Sequence, residues 1–127
     1  MRSFGIVPAA LALAIAAGGC AHQTTPQEIA DATTRAVYDA DYGRATARFD
    51  DGLKAQITRA SFGDLSDRLH ALGAYHGLKT VASDPDRGRY DYDAAFDKGT
   101  MLVQIRLAPS GQLEAYRVSP ESASAPR

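Results

Sequence analysis

The sequence predicts an α+β fold, with N-terminal helices packed on a curved four-stranded antiparallel sheet. Three observations carry this. Apolar residues recur every three or four positions from about residue 26 to residue 72. From Tyr75 onward the period changes to two. The alternating stretches are then separated by Asp84-Pro85-Asp86-Arg87-Gly88, Lys98-Gly99 and Pro109-Ser110-Gly111, all of them turn chemistry. Helices and strands therefore come in blocks, which is the α+β order of elements.

The first segment precedes this domain. Arg2 gives a short positive start, and an apolar or small-residue run extends from Ile6 to Ala17. About a dozen residues is too short to span a bilayer, which takes ~20. Small residues then lead to Cys20, the single cysteine in the chain. This is the layout of a cleaved secretory signal over residues 1–19. A lone cysteine in an exported chain has no internal partner and needs another role.

Ala17-Gly18-Gly19-Cys20 resembles the lipobox of bacterial lipoproteins, with Ala at position 17 where Leu is commoner. The resemblance implies cleavage before Cys20, a diacylglyceryl thioether on its sulfur, and acylation of the new amine with a fatty chain such as palmitate. One chain anchors only marginally, at ~0.8 kcal/mol per buried CH₂, whereas several hold firmly. Ala21 stands where Asp would signal retention at the inner membrane. The expected location is therefore the cell envelope, lipid-anchored on the periplasmic face of the outer membrane.

Removing residues 1–19 leaves 108 of the 127 residues, enough for one domain. The whole chain has net charge −1. Losing Arg2 makes the mature chain slightly more acidic, which argues against a nucleic-acid partner. With Cys20 lipidated no disulfide remains, so packing alone must hold the domain. Residues 20–25 form the lipidated cysteine and a tether. Its five residues after Cys20 reach about 17 Å when stretched, at ~3.4 Å each.

The domain proper is expected over residues 26–118. Thr25-Pro26-Gln27-Glu28 is a helix start, with a capping Thr, Pro at the first helical position and Glu three after the cap. Ile29, Ala32, Ala36, Val37 and Ala40 make its apolar face. Asp41-Tyr42-Gly43 is expected to break this helix, and residues 44–49 to resume it with Ala45 and Phe49 inward. After a break at Asp50-Asp51-Gly52, residues 53–57 form a short amphipathic piece. Thr58 caps a further helix. On it Phe62, Leu65, Leu69 and Leu72 share one face, and Asp64 and Arg68 lie on the other side. Gly73 ends it in the left-handed region.

The strands are expected at 75–83, 89–97, 100–108 and 112–118. A two-residue Lys98-Gly99 loop would set Phe96 opposite Met101, Ala94 opposite Val103, Tyr92 opposite Ile105 and Tyr90 opposite Leu107. All are apolar or aromatic and share one face, while Asp91 and Asp93 take the other. Placing Ser83 opposite Arg89 turns Leu78, Thr80 and Ala82 inward, with His76 near their end and Lys79 outward against Asp93. The last strand has two readings. A three-residue loop turns Leu113, Ala115 and Arg117 inward, and a two-residue loop turns Tyr116 and Val118 inward. Residues 119–127 are Ser-, Ala- and Pro-rich and are expected to be a disordered tail.

The run from Asp41-Tyr42-Gly43-Arg44 to Phe49, then Leu53-Lys54 to Ile57-Thr58, then Leu72-Gly73, then Pro109-Ser110-Gly111-Gln112-Leu113, is similar to domain of unknown function 3887. That family belongs to the nuclear transport factor 2-like superfamily of cone-shaped α+β barrels. The resemblance covers about residues 27–118 and rests on spacing and residue type. It implies a cone able to hold a small hydrophobic ligand. Sheets of that superfamily often pair, which leaves a homodimer open. Some relatives precede an α/β-hydrolase domain, but no Gly-x-Ser-x-Gly elbow occurs here.

Candidate chemistry is sparse. His22, His70 and His76 are scattered, and Cys20 is committed to lipid, so no metal site and no cofactor are expected. The run Asp84, Asp86, Asp91, Asp93 and Asp97 lacks the closing Glu of an EF-hand. Tyr90 and Tyr92 point inward and, with His76, Thr80 and Arg117, are the candidate lining of a pocket mouth. Acid–base work on a steroid-like substrate would need an inward carboxyl with a raised pKa, and none is expected. The favoured reading is a membrane-anchored, non-enzymatic envelope domain that binds a partner protein or a small apolar ligand. The alternative is a small isomerase- or cyclase-type enzyme built on Tyr90, Tyr92 and His76.

Overall fold

The computed structural model describes residues 24–120. The expected signal peptide, Cys20, His22, most of the tether and residues 121–127 lie outside the described residues. Four helices, α1 (Pro26–Tyr38), α2 (Tyr42–Ala45), α3 (Asp51–Gln56) and α4 (Arg59–Ala71), precede four strands, β1 (Tyr75–Asp84), β2 (Arg89–Phe96), β3 (Gly99–Leu107) and β4 (Leu113–Pro120). The strands form one open antiparallel sheet in chain order. The architecture is thus α+β. Among the described residues no helix is long and apolar enough to cross a membrane.

The helix starts follow the sequence. Thr25 Oγ1 accepts from Glu28 N–H at 3.1 Å, and Thr25 N–H donates back to Glu28 Oε1 at 2.9 Å. This reciprocal pair satisfies two of the free donors at the start of α1. Thr58 caps α4 in the same way through Ser61. Asp41 and Asp50 cap α2 and α3. Tyr42-Gly43 and Asp51-Gly52 therefore open helices where breaks were expected, because each preceding Asp offers its carboxylate to an N–H three residues on.

The buried face of α1 is Ile29, Ala30, Thr33, Thr34, Ala36 and Val37. Ala32 and Ala40, expected inward, are exposed. Thr33 and Thr34 take the inner stripe instead, and the Thr34 hydroxyl finds a partner there. Thr34 Oγ1 lies 2.8 Å from the Tyr116 hydroxyl. Ala45 and Phe49 are buried as expected, although α2 ends at Ala45 and Phe49 forms an isolated parallel bridge to Leu113.

The β2–β3 register differs from expectation by two residues. Phe96 lies opposite Gly99, Ala94 opposite Met101, Tyr92 opposite Val103 and Tyr90 opposite Ile105. The turn is Asp97-Lys98 rather than Lys98-Gly99. Its two N–H groups are taken by the segment that follows α4: Asp97 N–H donates to Ala74 O at 3.1 Å and Lys98 N–H to Leu72 O at 2.9 Å. A two-residue slip keeps every side chain on its face. Tyr92, Ala94, Phe96, Met101, Val103 and Ile105 are accordingly all buried.

Bulges account for the other differences. Gly77 to Thr80 pair with Ala95 to Tyr92 as expected, with Lys79 opposite Asp93, but the register shifts on either side. Ser83 lies opposite Tyr90, not Arg89. Ala82 and His76 are exposed rather than inward, and so is Thr80, which keeps its expected pairing but lies on the edge strand. In β4 a shift between Arg106 and Leu107 lets both readings hold in part: Leu113 is buried before it, Tyr116 after it, and Val118 is half-buried. Arg117 falls outside, opposite Gln104. One extra residue flips the face of everything beyond it. β4 also runs to Pro120, two residues past the expected end of the strand.

Helices α1 and α3 pack on one face of the sheet. The core joins Ile29, Ala36 and Val37 of α1, Leu53 of α3, and Phe62 and Leu69 of α4 to the inner strand residues.

Candidate functional site

The five residues expected at a pocket mouth do not meet. Tyr92 is 2% exposed and belongs to the core. Burial pushes its phenol up to about 12, with neighbouring Tyr90 adding to the shift. Tyr90 is half-buried against the same core. Thr80 is exposed on β1, with its hydroxyl 3.4 Å from Gln27 Oε1. His76 is exposed and bonded to Asp97, its Nε2 lying 2.6 Å from Oδ1. Arg117 is on β4. β1 and β4 are the two edges of the sheet, three strand spacings or about 14 Å apart. His76 and Thr80 therefore cannot share a mouth with Arg117.

The hollow most like a binding site lies elsewhere. A cleft of about 320 Å³ opens between α4 and β4. Its apolar walls are Val37 of α1, Phe49, Ile57, Phe62 and Leu65 of α4, and Tyr116 and Val118 of β4. Ser61, Asp64, Arg68 and Arg117 supply its polar part. The volume sits at the low end of the range for ligand pockets, about 300–1,000 Å³.

The polar groups of the cleft divide into spent and unspent. The Tyr116 hydroxyl is bonded to Thr34, and burial holds the phenol well above its ordinary range. The Ser61 hydroxyl donates to Thr58 O at 3.0 Å within the helix cap. The floor is thus chemically apolar. Asp64 and Arg68, one helical turn apart and expected on the side of α4 away from the core, border the cleft instead. They do so because β4 does not close over α4 at this edge.

Two other places concentrate polar side chains. The Tyr75 hydroxyl donates to Asp31 Oδ1 at 2.7 Å, and Asp31 also pairs with Arg35 at 2.9 Å. Desolvation first, and this bond second, raise the Tyr75 phenol far above its usual range. Sequence reasoning missed this contact. Asp31 and Arg35 are legible as a helix pair, but Tyr75 is 44 residues away in sequence from Asp31. A polar hollow on the outer sheet face is bordered by Arg89, Arg106 and Arg117 but also by Asp84 and Asp91. Arg106 there is bonded to Glu114 at 3.0 Å.

Among the described residues no Asp or Glu is buried as a whole, although Asp93 Oδ1 on the sheet is covered and unpartnered, and no group of three or more potential metal ligands comes together. No protein-family model, no curated protein and no solved structure matches the chain.

Proposed function

We propose that this chain is a lipid-anchored protein of the bacterial envelope whose domain binds a small apolar ligand without turning it over. The apolar cleft between α4 and β4 is the observation that carries the reading. Its walls come from four separate parts of the chain and its hydroxyls are already satisfied, so an apolar body displaces only water there. The anchor rests on Ala17-Gly18-Gly19-Cys20. Membership of domain of unknown function 3887, and the cone of the nuclear transport factor 2-like superfamily, are part of the same proposal. They are supported by the order of helices and strands and by the spacings quoted above.

The binding reading is preferred over an isomerase or cyclase on one ground. Such chemistry needs a carboxyl held in apolar surroundings. Asp31, the carboxylate that meets a tyrosine hydroxyl, is instead paired with Arg35 and partly solvated.

A neutral, environment-sensitive naphthylamine dye tests the cleft. Its fluorescence should rise on the mature protein and fail to rise on Leu65→Trp, which fills the cavity. No rise on folded wild-type protein would overturn the binding reading. Growth in labelled palmitate tests the anchor: label should follow the protein into the membrane fraction and be lost in Cys20→Ser.

A further inference from the structure

The charges at the rim of the cleft say more about what it takes. Arg35, Arg44, Arg87 and Arg106 are each paired with a carboxylate. The two arginines that border the cleft, Arg68 and Arg117, have no such partner among the described residues, like Arg48, Arg59 and Arg89, but they alone of these face an apolar cleft. Asp64 is the single carboxylate on the rim, and it makes no contact of ion-pair length with Arg68 although it lies four residues before it on α4. The rim is therefore net positive, around a floor whose hydroxyls are occupied. A wholly apolar ligand would fill the floor and leave both guanidiniums unused. A ligand with an anionic end would use both parts.

We infer that the cleft takes a single-chain anionic amphiphile, its acyl chain against Phe62, Leu65, Tyr116 and Val118 and its acidic head on Arg68, with Arg117 at the strand edge. This inference rests on the binding reading above. Guanidinium suits the head because its planar fork bonds carboxylate or phosphate through two parallel N–H donors. Arg68 is the main contact, since it stands on the wall of the cleft itself. Arg117 borders the cleft and the outer hollow alike and contributes less. The chain supplies affinity in proportion to the apolar area it buries. The head supplies orientation and selectivity.

The experiment is a calorimetric or dye-displacement titration of the mature protein with laurate, dodecyl phosphate and dodecanol, which share one chain length. At least one acidic probe should bind about tenfold or more tighter than dodecanol, as a charge-assisted hydrogen bond would give. Whichever acid is preferred identifies the head group as carboxylate or phosphate. The preference should shrink as salt is raised. Arg68→Gln should remove most of this acid-over-alcohol ratio, Arg68→Lys should restore part of it, and Arg117→Gln should reduce it less. If all three probes bind equally, the anionic head is wrong and the apolar cleft stands. If none binds, the cleft reading itself falls. If the preference survives in Arg68→Gln, Arg68 is not the head-group contact and the assignment is overturned.

Discussion

Helix α4 makes two junctions with the sheet, and they are built differently. At its C-terminal end the chain is stitched. Asp97 and Lys98 donate their N–H groups to Ala74 and Leu72, and the Asp97 carboxylate accepts from Ala74 N–H at 2.9 Å and bonds His76 on its other oxygen. Tyr38 O–H adds a bond to Gly73 O at 2.9 Å. Along its flank toward β4 the same helix meets apolar walls across an open cleft. The buried polar joint nearby links Thr34 of α1 to Tyr116 and bypasses α4. The stitched end fixes where α4 sits, which lets the other flank stay unfilled without loss of the fold. A ligand site of this kind needs a rigid frame on one side and spare volume on the other.

The most damaging change should therefore be at the stitched end. Gly73 has φ +90, and a Cβ there would lie 2.7 Å from Asp97 Cβ and 2.8 Å from its Oδ2. Gly73→Ala adds backbone strain to that clash, and the loss should be on the order of 3 kcal/mol. Urea unfolding followed by circular dichroism measures it. A loss under about 0.5 kcal/mol, the size of an ordinary surface change, would mean that the stitches do not frame the helix.

Next in size is the polar joint behind the cleft. Tyr116→Phe leaves the Thr34 hydroxyl without its side-chain partner in a buried place, which should cost about 1–2 kcal/mol. The ring remains, so the cleft keeps its floor and the neutral dye should bind as before. If stability falls by more than in Gly73→Ala, the two junctions have been ranked the wrong way round.

The helix ends could be read from the sequence, whereas the stitches that tie the Asp97-Lys98 turn to Leu72 and Ala74, and most of the cleft, could not. Gly73 as a helix terminator and Thr25 and Thr58 as caps follow from local rules, because each acts within four residues of itself. The inner face of β2 and β3 survived an error of two residues in register, because parity alone assigns faces. The turn at Asp97-Lys98 was not legible, since its N–H partners belong to a segment more than 20 residues earlier. The bulges in β1 and β4, which moved Ala82 and left each reading of the last strand half right, were not legible either: one inserted residue leaves no mark in a period-two pattern. Thr34 was passed over because a search for apolar residues does not see a threonine that is satisfied across the core. Phe62 and Leu65 were rightly placed on the apolar face of α4. That β4 would leave this face partly open, with Arg68 at its rim, depends on tertiary spacing that no local pattern carries.

The smallest effect expected is a change of slope with pH. The Asp97 carboxylate is held below its ordinary range, first by the Ala74 N–H and then by His76. Its folded form thus binds a proton less readily than its unfolded form, and the unfolded chain takes up more protons as acid is added. Stability from this group is complete above the ordinary carboxylate value of about 4. It is lost as pH falls through the lowered folded value, because stability rises with pH wherever the unfolded state holds more protons. Asp97→Asn keeps an oxygen for the Ala74 N–H but cannot ionise. Its urea midpoint should lie somewhat below that of wild type at neutral pH, and the two should converge in acid. The cleft should be indifferent to this change, since Asp97 is on the other junction. Parallel midpoints at every pH would show that Asp97 contributes to the stitching through geometry alone and not through its charge.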